Sequence, residues 1–313
     1  MAGQELATAD GYCLALGGSH AREGWVRGDA ITGFQSERTQ ATPDLFFAWM
    51  ADRLLHAHAG GAEWGVIGLP GPVEAKAETT FIGPFANLAG LKRAYDIQAE
   101  LTKANPACTR LFGEGFRLIA TNDGNLAAHA AATRFGEGYD RVGALINGTG
   151  IGFGAVIRSK ARPDLFETLP LPLEIGHVPL AENDPSVTYE TTISGTALGA
   201  RASAPGKPVK AEDLPADHPL WEEVGKRQGH IAVLLSLLIG LELMVPTGGV
   251  GVGAAAKYRQ YLDEYLMAIK TGDHATQQHF LPKIAYVPLQ EAHTFELHGA
   301  RSVLRSALAA AEA

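Results

Sequence analysis

A two-part α/β fold is predicted, and three observations predict it. Short apolar runs end in glycine or polar turns, the pattern of strands whose ends carry loops. Helix-length segments fall between these runs, so mixed α/β layers fit better than a barrel or a sandwich. Each half contains a β-hairpin-like region, near residues 12–35 and again at 142–157. A chain of 313 residues is long enough for two compact domains.

The elements follow in order. Residues 12–16 are apolar and end in Gly17-Gly18, as a first strand would. Residues 24–26 and 31–35 read as two further short strands. A helix is predicted from Pro43 to about His58, with proline in its first turn. Residues 64–69 read as a strand closed by Pro70-Gly71-Pro72. A second round begins at Phe116: a strand, a polar turn, an alanine-rich helix over 126–135, a strand over 142–146 and its hairpin partner over 152–157. Residues 163–185 are loop-rich. A helix over about 221–241 leads to the apolar run 243–245, then Gly248-Gly249-Val250-Gly251. A helix over 254–269, a strand over 284–287 and a last helix over 300–311 complete the chain.

Bulk properties narrow the function. Net charge is −8 and the isoelectric point about 5.8. Nucleic acid is thereby disfavoured, since phosphate backbones select clustered Lys and Arg. Cys13 and Cys108 are the only cysteines and form no C-x-x-C pair, which points to a reducing compartment. No charged-then-apolar leader opens the sequence, and the most apolar segment, 231–241, is too short for a bilayer. A cytoplasmic protein without a membrane partner is expected.

Two motifs carry the chemistry. Thr121-Asn122-Asp123-Gly124-Asn125 sets a carboxylate on a tight polar turn after an apolar run. A simple helix cap explains this turn as well. Asn147-Gly148-Thr149-Gly150-Ile151-Gly152 is a glycine-rich turn after another apolar run. A hairpin needs one or two glycines, whereas four alternating ones, through Gly154, suggest backbone close to a bound group. A carboxylate can accept a hydroxyl proton, and glycine-rich backbone can cradle phosphate. Placed at the same edge of one sheet, the two motifs suggest phosphoryl transfer to an alcohol.

Two further signals compete. Gly251-Val252-Gly253-Ala254-Ala255-Ala256 fits G-x-G-x-x-A and opens a helix, as a nicotinamide-dependent oxidoreductase would have it. The acid expected after the next strand is absent: Val287 is followed by Pro288, and Asp273 precedes that strand. Glu174-Ile175-Gly176-His177 and Glu190 could bind vicinal hydroxyls. They offer too few ligands for structural zinc.

Taken in order, these pieces resemble the ROK family of sugar kinases and sugar-responsive regulators, within the actin/hexokinase-like ATPase superfamily. The resemblance spans Gly17-Gly18, Gly68-Leu69-Pro70-Gly71-Pro72-Val73, Asn87-Leu88, Asn122-Asp123-Gly124-Asn125, Gly148-Thr149-Gly150-Ile151-Gly152, Glu174-Ile175-Gly176-His177, Glu190 and Gly248-Gly249-Val250. It implies two actin/hexokinase-like (ribonuclease H-like) α/β domains flanking a cleft. Residues 1–121 with 298–313 would form the smaller, and 122–297 the larger. Asp123 would be the catalytic base. Asn87, Asn122, Glu174, His177 and Glu190 would bind the sugar. Gly17, Gly18, Ser19, Gly148, Thr149, Gly150, Gly248 and Gly249 would hold the nucleotide, with ATP and Mg²⁺ as cofactors.

Two departures from the family pattern stand out. The first strand of the family ends Asp-x-Gly-Gly-Thr, with Asp placing the metal. Here the run is Ala15-Leu16-Gly17-Gly18-Ser19. The zinc-binding cysteine cluster after the Gly-His pair is also missing, so no structural zinc is expected. No helix-turn-helix module precedes the first strand, which disfavours a repressor. An ATP-dependent, glucokinase-like hexose kinase is the leading expectation, and a homodimer is compatible with it. A catalytically impaired sugar-binding protein on the same fold is the alternative. The identity of the sugar, and ATP or polyphosphate as donor, stay open.

Overall fold

The computed structural model describes residues 10–40, 42–76, 79–85, 88, 90–169, 174–204, 207–272 and 281–312. Asn87 and Asp273 lie outside them. The chain divides into two compact units. One holds Met1–Thr133, Ala161–Thr168 and His293–Ala313; the other holds Arg134–Lys160 and Leu169–Ala292.

The first unit opens with β1 (Gly11–Leu16), β2 (His20–Arg27) and β3 (Ala30–Arg38), then α1 (Pro43–Ala59) and β4 (Trp64–Leu69). A small antiparallel sheet follows, of β5 (Val73–Lys76), β6 (Thr79–Ile82) and β7 (Tyr95–Asp96). Next come α2 (Ile97–Ala104), α3 (Ala107–Gly113), β8 (Arg117–Asn122) and α4 (Asp123–Phe135). The main sheet has the order β3-β2-β1-β4-β8, with β1, β4 and β8 parallel and β1, β2 and β3 antiparallel.

All six residues of β1 are buried, because both faces of the sheet are covered. Side chains alternate along a strand. Tyr12, Leu14 and Leu16 join Phe46, Phe47, Met50 and Leu54 of α1. Cys13 and Ala15 join Leu126 of α4 and the C-terminal Leu297, Ala300, Val303 and Leu304. Gly68 lets Leu126 come close: a Cβ there would stand 2.6 Å from Leu126 Cδ2. The packing of Leu126 keeps residues 122–133 with the first unit, whereas the sequence reading starts the other domain at 122.

The second unit opens with the hairpin of β9 (Arg141–Asn147) and β10 (Ile151–Arg158). After β11 (Phe166–Thr168), which belongs to the first unit, come α5 (Tyr189–Ile193), α6 (Gly195–Ala202) and α7 (Leu220–Ile239). Then follow β12 (Leu243–Thr247), α8 (Gly248–Gly253), α9 (Ala255–Thr271) and β13 (Lys283–Ile284). The order β10-β9-β12-β13, with β9, β12 and β13 parallel, repeats the order β2-β1-β4-β8 of the first unit. The last helix, α10 (Ala300–Glu312), returns to the first unit.

Two readings need correction. The Asp123 turn follows β8 and the Gly148 turn follows β9, so they end strands of two different sheets, not one. The oxidoreductase motif also fails geometrically. Its Gly251 and Gly253 lie inside α8, and the strand-to-helix turn is made at Gly248, with φ +82°. A dinucleotide fingerprint needs its glycines in that turn.

Candidate active site

In the first unit, three loops leave the same edge of the main sheet. Leu69 pairs with Asn122, and Ala15 with Gly68, so the C-terminal ends of β1, β4 and β8 lie side by side. Gly17, Gly18 and Ser19 form the loop after β1. Its shape is fixed by Gly17 N–H donating to the His20 carbonyl (2.9 Å) and by Thr39 Oγ1 donating to the Gly17 carbonyl (2.7 Å).

Asp123 is the first residue of α4 and is half-buried. The Gly124 N–H donates to Asp123 Oδ1 and to Asn122 Oδ1, both at 2.8 Å. Asn122 Nδ2 donates to the Gly71 carbonyl at 3.0 Å and lies 3.5 Å from that of Leu69. The amide of Asn122 thus ties β8 to the loop after β4 and helps to fix the carboxylate beside it. An acceptor at a helix N-terminus is also stabilised by the helix dipole.

In the second unit, the other group converges on the turn between β9 and β10. The turn is Gly148-Thr149-Gly150, closed by Gly148 N–H to the Gly150 carbonyl at 3.0 Å. Glu190 Oε2 accepts from Ile151 N–H at 3.0 Å, and a Cβ on Gly150 would stand 2.8 Å from that oxygen. Gly176 approaches as closely: a Cβ there would be 2.5 Å from the Ile151 carbonyl oxygen. The exposed Glu174 and His177 flank that glycine in a 3₁₀ turn. Glu190 and Gly176 therefore both meet the turn at Ile151, and Glu174 and His177 lie within two residues of Gly176 along the chain.

Two helix starts brace the turn. Gly195 N–H donates to the Gly148 carbonyl at 2.7 Å, and Thr196 Oγ1 donates to the Thr149 carbonyl at 2.8 Å. Gly248, in the left-handed region, brings the start of α8 against Asn147, whose oxygen would lie 2.7 Å from a Cβ there. Gly148 and Gly249 face open space instead: a Cβ on either would meet nothing within 4 Å. A backbone packed on one side and open at two glycines fits a phosphate-bearing ligand. Gly195 and Thr196 escaped the sequence reading. Their signal was Ser194, whose side chain accepts from Ala197 N–H and caps α6.

A protein-held Mg²⁺ does not fit the donors present. Ala15 is 3% exposed and packs among Cys13, Val66 and Leu126. Directly across the sheet stands Arg22, whose guanidinium is bound to Glu296 at 2.8 Å. Among the described residues, no group of three or more His, Cys, Asp or Glu could hold a metal ion. No helix among them is long and apolar enough to cross a membrane.

No protein-family model and no curated protein matches the chain. Solved structures do match. A ROK hexokinase from Thermus thermophilus superposes with TM-score 0.66 at 21% identity, over 97% of this chain and 100% of that one. A ROK family glucokinase from Streptomyces griseus, in complex with glucose and AMPPNP, gives 0.63 at 20%, over 93% and 97%. An inorganic polyphosphate/ATP-glucomannokinase from an Arthrobacter strain gives 0.57 at 19%, over 96% and 99%. With two sheets of the same strand order and likeness over nearly its whole length, the chain has the actin/hexokinase-like α/β fold of the ROK sugar kinases.

Proposed function

We propose that the chain is an ATP-dependent hexose kinase of ROK type, glucokinase-like, that transfers the γ-phosphoryl group to a sugar hydroxyl. The observation that carries this reading is the placement of Asp123 at the end of β8, oriented by Asn122 and Gly124, on a fold shared with sugar kinases. In this reading Asp123 accepts the proton of the reacting hydroxyl. Asn87, Asn122, Glu174, His177 and Glu190 hold the remaining hydroxyls. Gly148, Thr149 and Gly150, with Gly17, Gly18 and Ser19, hold the phosphates, and Gly248 and Gly249 line the adenosine pocket. ATP, when bound, supplies the phosphoryl group, and Mg²⁺ carried on its phosphates neutralises charge. Glucose-bound and AMPPNP-bound relatives support the ligand classes.

A second reading rests on Ala15. A buried methyl stands where the family pattern has its metal-placing carboxylate. A sugar-binding protein with impaired catalysis would tolerate that change.

A coupled ADP-release assay over a panel of hexoses, with magnesium and ATP, separates the two. Turnover with one or a few hexoses is expected. A parallel arm with polyphosphate, read as sugar phosphate, identifies the donor. Sugar binding without turnover from either donor would favour the second reading, and absence of both binding and turnover would sink the proposal.

A further inference from the structure

A second polar site lies in the first unit, between the outer strands and α1. A cavity of about 170 Å³ is lined there by Glu23, Gln35, Ser36, Glu37, Trp49 and Arg53, together with Ala21. Glu23 forms part of its wall. The residue is 2% exposed, and its carboxylate is met by the Tyr12 hydroxyl and, at 3.3 Å, by Arg53 Nε. Carboxylates are almost never buried in this way unless they are compensated.

Arg53 compensates Glu23 only in part. Its Nε lies 3.3 Å from Glu23 Oε2, but its Nη2 is committed to Glu37 Oε1 at 2.7 Å. Trp49 Nε1 donates to the same Glu37 oxygen at 2.6 Å. Tyr12 and His56 also act on Glu23, yet burial still pushes its carboxyl above the ordinary range. The cavity therefore combines two carboxylates with one guanidinium. The missing complement is a positive charge bearing several N–H donors.

We propose that this cavity is a binding site for a small primary ammonium compound, its charged nitrogen donating to Glu23. Exposed Gln35 and Ser36 line the same cavity and can serve a neighbouring hydroxyl. The geometry favours an ammonium over an anion, which both carboxylates repel. It also favours an ammonium over a neutral polyol, which leaves the excess negative charge unanswered.

Isothermal titration of the full chain with ethanolamine tests the site, with ethylene glycol and acetate as controls. Saturable binding of ethanolamine alone is expected. Glu23→Gln, which keeps the shape but removes the charge, should weaken it by about tenfold or more, one lost ionic hydrogen bond. Ala21→Val, which fills the cavity and leaves Glu23 in place, should weaken it too and decides the matter should Glu23→Gln fail to fold. Absence of ethanolamine binding would overturn the proposal. So would equal binding of ethylene glycol, or ethanolamine binding that Ala21→Val leaves intact.

Discussion

At the scale of single residues, the geometry around Asp123 makes a sharp expectation. Its carboxylate is oriented by the backbone of Gly124, which an amide oxygen can accept from equally well. Asp123→Asn should therefore keep sugar binding and lose turnover by about 10²–10⁴-fold, the usual share of a general base. Sugar phosphate formation, measured beside sugar affinity, checks this; unchanged turnover would remove Asp123 from the reaction. Ala15→Asp has two expected effects of opposite value. Turnover should rise, and the melting temperature should fall, because the new carboxylate enters a wall of Cys13, Val66 and Leu126. A wild-type enzyme already fast with magnesium and ATP, and indifferent to Ala15→Asp, would show that no metal-placing group is missing. Asp123 and the Gly148 turn stood out in the sequence because one sits beside a glycine and the other after an apolar run, signals that Glu190 lacks. Arg22 and Glu296 were not, since 274 positions separate the two partners of that ion pair.

At the scale of elements, glycines decide where helices meet the strands. A Cβ on Gly195 would stand 2.8 Å from the Gly148 carbonyl oxygen, which is backbone and cannot swing aside. Gly195→Ala should push α6 from the glycine turn and cost about 1–3 kcal/mol of stability, as overpacking commonly does. Chemical denaturation measures the loss, and an unchanged midpoint would show that the turn yields freely. The long elements were readable. β4 runs over Trp64–Leu69 as its apolar run indicated, and α1 starts at Pro43. The expected strand over 284–287 shrinks to Lys283–Ile284, since the next position of its partner β12 due to donate is Pro246, which has no N–H to extend the ladder. The sheet of β5, β6 and β7 was missed, and so were α2, α3, α5 and α6. These are short, and their apolar residues serve a core built by distant segments, so local periodicity is faint.

At the scale of the whole molecule, His129 binds three distant segments of one unit. Its Nδ1 is 2.8 Å from Ser302 Oγ on α10, and its Nε2 is 3.0 Å from Thr168 Oγ1 on β11. Burial pulls its imidazole down to about 4. In the unfolded chain it takes up its proton near 6.5, so between these values the unfolded state holds more protons. Stability is then complete above about pH 6.5 and falls as pH drops toward 4, by of order 3 kcal/mol. Glu23, whose carboxyl is raised by burial, works with the opposite sign at the acid end. The difference in melting temperature between wild type and His129→Gln, followed from pH 7 to 4, isolates the imidazole. A constant difference would refute the assignment.

The first unit is also discontinuous along the chain, and this orders its assembly on the ribosome. Its sheet is synthesised ahead of the second unit, yet one face of that sheet is completed by Leu297, Ala300, Val303 and Leu304, which emerge only after the second unit's residues. Until α10 arrives, Cys13, Val66 and Trp64 lack that cover, while the second unit has all its strands in hand. Domains generally fold as units, from the N-terminus onward, and exposed apolar sheet is prone to aggregate. Here the nascent chain inverts the sequence: the later unit can close first, and the earlier one waits. Chains halted before residue 293 should consequently depend on chaperones far more than the finished protein.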